Sequence, residues 1–271
     1  MGVVNATPDS FFEGGRSSTA SAARARVDQL LAEGAEIADI GGESSRPAAE
    51  PVAASEQVAR IQEAVAHALS TRRLLVSIDT TSPEVAQRML AMGAGLVNDV
   101  SCLADLELAK VVAQFGAGLI LMHTRGALGK MTGFSEYPDD AYSDVVREVR
   151  EEWCQARDRA VQAGVSRELV WFDPGIGFGK NARQSFELLR RLSEFSDLGV
   201  PVVVGASRKS FISAVDDVGP EERLGGTIAA CLWARSQGAR VLRVHDVRAV
   251  RQALSVTEAL MPPRASGAAH V

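Results

Sequence analysis

The residues of this sequence that could do chemistry recur at one kind of place, at or just after the end of a short aliphatic run. Asn5 follows Val3 and Val4; Glu43, Ser45 and Arg46 follow Ile37 to Ile40; Asp79 ends Leu74 to Asp79; Asn98 and Asp99 end Leu96 to Asp99. Further on, His123 follows Gly118 to Met122 and Asp173 follows Leu169 to Phe172. Ser207, Arg208 and Lys209 follow Pro201 to Gly205, and Arg243, His245 and Asp246 lie at the end of Val241 to Val244. For any single position a cap or turn role is the simpler account, because Asn, Asp and Ser bond locally to the backbone before helices. Capping does not call for Arg46, Lys209, Arg243 and His245 as well. Gathered on one rim, these four could hold a diphosphate, with Arg supplying a fork of donors and Lys a point charge.

Asp79 and Asp173 pose a different problem. A carboxylate buried at a strand end is costly unless a donor-rich ligand or a nearby cation satisfies it. An amino-heterocycle does so: a 2-amino-pyrimidinone edge offers two parallel N–H donors, and Asn98 can add a complementary donor and acceptor. Two glycine-rich stretches, Asn5 to Gly15 and Asp173 to Lys180, read as loops whose backbone can approach a ligand. A phosphate-cradling P-loop is excluded for the second, since Asn181 follows Lys180 and the glycine spacing is wrong. His67 lies away from every such position and reads as a surface residue, while His123 fits either a site or a core.

These residues need elements to position them. Eight aliphatic runs alternate with segments of helical period, including Ser21 to Glu33, Ala54 to Leu69, Pro83 to Met92 and Tyr142 to Ala163. This is the pattern of a parallel sheet with crossover helices. Eight units, with no Gly-x-Gly-x-x-Gly turn after the first run, favour closure into an α/β (β/α)8 TIM barrel over an open doubly wound sheet. In such a barrel the active site lies at the C-terminal ends of the strands, where the polar residues fall. The 271 residues match the roughly 250 of one barrel, predicting one domain over residues 1–261 and a mobile tail rich in Pro, Ala, Ser and Gly over 262–271.

Composition narrows the function classes. A net charge of −5 argues against nucleic acid as a partner, which would need a basic face. Neither a run of about 18 apolar residues nor a secretory signal is present, so the expected place is the cytoplasm, away from any membrane. Three scattered cysteines, Cys102, Cys154 and Cys231, suggest neither a disulfide framework nor a zinc site.

The ordered motifs M-G-V-V-N-A-T-P-D-S-F, D-I-G-G-E-S-S-R-P, S-I-D-T, N-D-V-S, M-H, D-P-G-I-G-F-G-K, S-R-K-S-F and R-V-H-D-V, from Met1 to about Val247, resemble the dihydropteroate synthases of the pterin-binding barrels. The resemblance implies a transferase of folate biosynthesis and a sulfonamide target. It would condense 6-hydroxymethyl-7,8-dihydropterin diphosphate with 4-aminobenzoate, with Mg²⁺ assistance. It implies that Asp79, Asn98, Asp173 and Lys209 hold the pterin against Val100, Met122, Phe178 and Gly205. Asn5, as metal ligand, together with Arg46, Arg243 and His245, would meet the diphosphate and Mg²⁺. Ser45, Pro47, Phe178 and Ser207 would meet aminobenzoate, and Asp9, Phe11 and Glu13 would form a lid. The family also implies a homodimer through the late helices.

Four positions depart from the family pattern. Glu13 stands in place of Asp, Phe12 in place of a small polar residue, Ser45 in place of Thr, and Cys102 in place of Gly. Two other readings compete. A pterin-dependent methyltransferase would share the Asp and Asn contacts but has no use for Arg46, Lys209, Arg243 and His245, and a catalytically silent pterin-binding paralogue would keep the pocket without turnover.

Overall fold

The computed structural model describes residues 1–6, 15–44, 50–126 and 136–261. Strands β1 (Gly2–Asn5), β2 (Ile37–Gly41), β3 (Leu75–Asp79), β4 (Leu96–Asp99), β5 (Gly118–Met122), β6 (Val170–Asp173), β7 (Val203–Val204) and β8 (Val241–Leu242) alternate with helices. These are α1 (Gly15–Glu33), α2 (Ala54–Ser70), α3 (Pro83–Met92), α4 (Leu106–Phe115), α5 (Val145–Gln162), α6 (Ala182–Arg190), α7 (Leu224–Ser236) and α8 (Val247–Leu260). The first six strands form one parallel sheet in sequence order, and β7 pairs with β8. Single parallel bridges between Phe172 and Val202, and between Gly2 and Val244, join the two sheets at both edges and close the barrel. The expected (β/α)8 architecture is therefore present.

The boundaries differ from expectation for local reasons. Pro201 offers no N–H, so β7 is two residues long and contributes instead a carbonyl that accepts from Phe172 N at 3.0 Å. Leu169 closes a 3-10 turn over Arg167–Leu169 and β6 starts one residue later. Helix α5 begins at Val145 because the Asp144 side chain accepts from Val146 N and Arg147 N, while Tyr142 turns inward. Helix α1 begins at Gly15, six residues ahead of the predicted start, in a polar stretch that carries no hydrophobic period.

Side-chain alternation along the strands decides where the site forms. One set, including Val4, Ile40, Val76, Ile78, Leu121 and Phe172, faces outward and joins the apolar sides of the helices in the main core. The other set faces the barrel axis. Ile37, Leu96, Ile120 and Val203 pack together there, with Trp171, Val241 and Met1 against them. The N-terminal amine donates to Leu242 O at 3.1 Å and ties this plug to β8. Two residues further along the same strands come Asp39, Asn98, Met122, Asp173, Gly205 and Arg243. The apolar floor thus dictates, by a period of two, which side chains line the mouth above it.

Trp153 of α5 is wholly buried on the outer face of β5 and β6, edge-on to Phe172 at 5.0 Å, with its indole N–H donating to Leu121 O at 3.0 Å. Trp153→Ala should lower the unfolding free energy by about 3–5 kcal/mol in a denaturant titration; a loss under about 1 kcal/mol would show that this layer does not brace the barrel.

Candidate active site

The strand ends bring three elements distant in sequence onto one guanidinium. Arg243, following β8, donates from Nε to Asp39 Oδ2 at 2.7 Å and from Nη2 to Asp79 Oδ2 at 2.6 Å. Asn98 of β4 donates to the same Asp39 oxygen at 3.1 Å. Asp39 is wholly buried, and its other oxygen is buried without a hydrogen-bond partner. One cation thus serves two carboxylates. Burial pushes Asp79 up to about 7, Arg243 pulling it down and Asp39, Asp99 and Glu43 adding to the rise. Burial also works against the Arg243 charge, but Asp39 and Asp79 outweigh it and hold the guanidinium above its ordinary value.

Beside this set lies a second one built on the loop after β6. Asp173 is buried, its Oδ1 accepting from Gly175 N at 2.8 Å, and burial raises its pKa against the opposing pull of Lys209. Lys209 reaches in from the segment after β7, donates to Ile176 O at 2.6 Å, and lies 4.4 Å over the Phe178 ring. Desolvation brings this ammonium down to about 7 although Asp173 favours its charge. Val100, Met122 and Phe178 pack as one small apolar cluster, and a side chain added at Gly205 would meet Lys209 Nζ at 3.7 Å. The strand ends thus bring together an apolar cluster, three carboxylates, an amide and two cations. Such a set suits a flat ring rich in N–H donors.

At the rim, Ser207 Oγ lies 3.0 Å from His245 Nδ1 and accepts from His245 N at 3.2 Å. His245 is exposed there, and partial desolvation and Arg243 hold its imidazole below the usual range. Asn5 ends β1 half-buried, in register with Gly41. Asp79, Asn98, Asp173, Lys209, Arg243, Val100, Met122, Phe178 and Gly205 therefore gather as the sequence predicts, with Ser207 joined to His245.

Other strand-end residues serve the scaffold. Arg208 turns outward with φ +57°, pairing with both oxygens of Asp246 and with Glu221. Glu43 accepts from Val52 N and Gln57 Nε2, and Asp99 closes a turn by accepting from Ser101 and Leu103. Cys102, where the family has Gly, also adopts φ +57°, a backbone that glycine enters without strain. His67 is partly covered and pairs with Asp28 at 2.7 Å. Asp9, Phe11, Phe12, Glu13, Ser45, Arg46, Pro47 and the tail 262–271 lie outside the described residues.

Two residues escaped the sequence reading. Asp39 sits inside the aliphatic run Ile37 to Ile40 rather than after it, and its signal was the cost of a lone carboxylate in a buried strand. Lys180, wholly buried, was legible only as the end of a glycine-rich loop.

Known proteins are similar to this chain in sequence and fold. The family described as "Pterin binding enzyme" matches residues 1–245. The dihydropteroate synthase of Escherichia coli is 38% identical over 261 residues, which cover 96% of this chain and 91% of that protein. Among solved structures, Xanthomonas albilineans dihydropteroate synthase with 4-aminobenzoic acid is 39% identical with a TM-score of 0.88, covering 97% of this chain and 93% of that one. The same organism's enzyme in complex with 7,8-dihydropteroate is 37% identical with a TM-score of 0.85, covering 97% and 94%. On a matched family, 38–39% identity over nearly the whole chain and a shared fold, this chain belongs to the dihydropteroate synthases of the pterin-binding enzyme family.

Proposed function

We propose that the barrel mouth condenses 6-hydroxymethyl-7,8-dihydropterin diphosphate with 4-aminobenzoate, giving 7,8-dihydropteroate and diphosphate. The observation that carries this reading is the apolar cluster gathered at the strand ends with Asp79, Asn98, Asp173, Lys209 and Arg243. In this reading the pterin lies against the cluster of Met122, Val100 and Phe178, and its amino-pyrimidinone edge donates to Asp79 and Asp173. Asn98 and Lys209 meet its remaining polar atoms, and Gly205 leaves room beside the lysine. Asp39 sets the angle of Arg243 and Asn98.

Departure of diphosphate from the pterin methylene breaks a C–O bond, leaves positive charge on the pterin and puts negative charge at the rim. The buried carboxylates favour the first, and Arg46, Arg243 and His245 the second. With Nδ1 engaged by Ser207, His245 presents Nε2 outward. The arylamine then attacks the methylene carbon and loses a proton; a neutral aromatic amine needs no strong base. The aminobenzoate side is assigned to Ser45, Pro47, Phe178 and Ser207, and lid contacts to Asp9, Phe11 and Glu13.

The donor set also fits Mg²⁺. That ion retains waters and is commonly held by one or two protein oxygens plus substrate phosphates. The resemblance assigns the Asn5 amide oxygen, together with the substrate's diphosphate, to this ion, and among the described residues there is no cluster of three or more His, Cys, Asp or Glu side chains. Bound there, the ion would neutralise charge on the leaving group.

A homodimer belongs to the same reading. A cavity of about 700 Å³ between α6, α7 and the segment after β7 is lined by Phe186, Phe211, Ile212, Val215 and Trp233, of which Val215 and Trp233 are 77% and 48% exposed. Trp233→Glu should convert a dimer to a monomer in sedimentation analysis; a wild-type monomer at tens of micromolar would remove this assignment.

Turnover tests the reaction itself. Purified protein given the pterin diphosphate and Mg²⁺ should release diphosphate in an aminobenzoate-dependent manner and form dihydropteroate, and Lys209→Ala should lower kcat/KM by at least about 100-fold. Pterin binding without turnover would instead identify the silent paralogue.

A further inference from the structure

Beneath the loop from Asp173 to Lys180 lies a chain of charged groups, buried at Lys180 and His123 and half-buried at Glu152, Arg125 and Glu148, that the reaction above does not use. Lys180 is wholly buried, and its ammonium has three donors facing three acceptors: Phe178 O at 2.8 Å, His123 Nδ1 at 3.0 Å and His123 O at 3.2 Å. For Nδ1 to accept, the imidazole must be neutral with its proton on Nε2, and Nε2 indeed lies 2.9 Å from Glu152 Oε2. Burial, with Lys180 beside it, pulls His123 down to about 4, in keeping with that neutral ring. Glu152 is gripped by Arg125, which also pairs with Glu148 at 2.7 Å and lies 3.9 Å over the Tyr142 ring. The Tyr142 hydroxyl closes the circuit by donating to Gly179 O at 2.8 Å. Burial brings Lys180 down to about 7 although Asp173 favours its charge, and the three matched acceptors are what support the ammonium there.

The chain joins two members of the apolar cluster. His123 directly follows Met122, and its backbone N–H donates to Asp173 O at 2.9 Å. Lys180 holds the carbonyl of Phe178, which packs with Met122 and Val100. Between them Gly175, at φ +68°, passes so close that a Cβ would stand 1.9 Å from His123 O, so the loop rests directly on the end of β5. Removing the ammonium would leave two carbonyls and an imidazole nitrogen without their shared donor, and the loop's height above β5 would no longer be fixed.

We propose that Lys180, His123 and Glu152 are positioning residues: they never touch substrate but set the spacing between Met122 and Phe178, and the placement of Asp173, on which pterin affinity depends. This rests on the pterin reading above. A role confined to stability would reduce the folded fraction and melting temperature while the folded molecules kept the KM of the parent. A positioning role raises KM for the pterin diphosphate, since the misplaced groups weaken binding throughout the reaction.

The test is Lys180→Met, similar in length and without charge. The expected result is a rise of at least about tenfold in the KM for pterin diphosphate, and in the Kd of 6-hydroxymethyl-7,8-dihydropterin by calorimetry, with kcat at saturation within about threefold. Because replacing a buried lysine can prevent folding, His123→Gln provides a second route. Its amide can still donate to Glu152 but presents no acceptor at the Nδ1 position, so it should raise the same KM, and the double variant should add less than the product of the single effects. An unchanged KM in either folded single variant, or a fall in kcat alone, overturns the proposal. Wild-type turnover with an unchanged Lys180→Met leaves the synthase reading intact and removes only this one; absence of wild-type turnover removes the synthase reading, and the pterin Kd then decides this one.

Discussion

The sharing of one guanidinium between two carboxylates is the interaction on which the rest of the site depends. Arg243 lies 204 residues from Asp39 and 164 from Asp79 in sequence, yet donates to both. That contact requires β8 to come back beside β1, which the bridge between Gly2 and Val244 achieves, and it requires both carboxylates to point inward above the Ile37, Leu96, Ile120 and Val203 floor. An open sheet would satisfy the same strands and helices but leave Asp39 and Asp79 as buried charges without a cation. Closure and chemistry are thus one constraint.

The charge balance of the mouth is deliberately incomplete. Asp39, Asp79 and Asp173 face Arg243 and Lys209, and one oxygen of Asp39 has no hydrogen-bond partner. Buried acceptors in excess of donors cost stability and favour any ligand that brings N–H groups or positive charge. A pterin does the first on binding and the second as its diphosphate leaves. Burial raises Asp79 and the neighbouring carboxylates Asp39, Asp99 and Glu43 add to the rise, and those carboxylates in turn favour positive charge developing on the ring. Below the mouth, the Lys180, His123 and Glu152 chain is fully matched, which is what a scaffold under a reactive site requires.

Much of this was legible in the sequence because period and position carried it. Eight aliphatic runs gave the barrel, and the residues at their ends gave Asp79, Asn98, Asp173, Lys209 and Arg243. The exceptions have physical causes. Asp39 lies one layer below the rim, inside its run, where a rule that looks only after each run does not reach. Arg208 follows its strand like Lys209 does, but a left-handed backbone turns it outward to Asp246, and no periodicity announces that turn. Lys180 closes a glycine-rich loop, and only the folded chain shows three acceptors meeting its ammonium. The start of α1 was missed because the sequence before Ser21 carries no hydrophobic period.

The most direct measurement is the number of protons exchanged when a pterin binds, from calorimetry in buffers of different ionisation enthalpy. Burial raises Asp79 to about 7, so about one unit below that pH it is largely protonated. A ligand that donates to its carboxylate favours the ionised form and must expel that proton. The account predicts net proton release there, fading as the pH rises through 7 and much reduced in Asp79→Asn. Pterin binding with no release, or with net uptake at the lower pH, would contradict the claim that a carboxylate-rich floor recognises the ring.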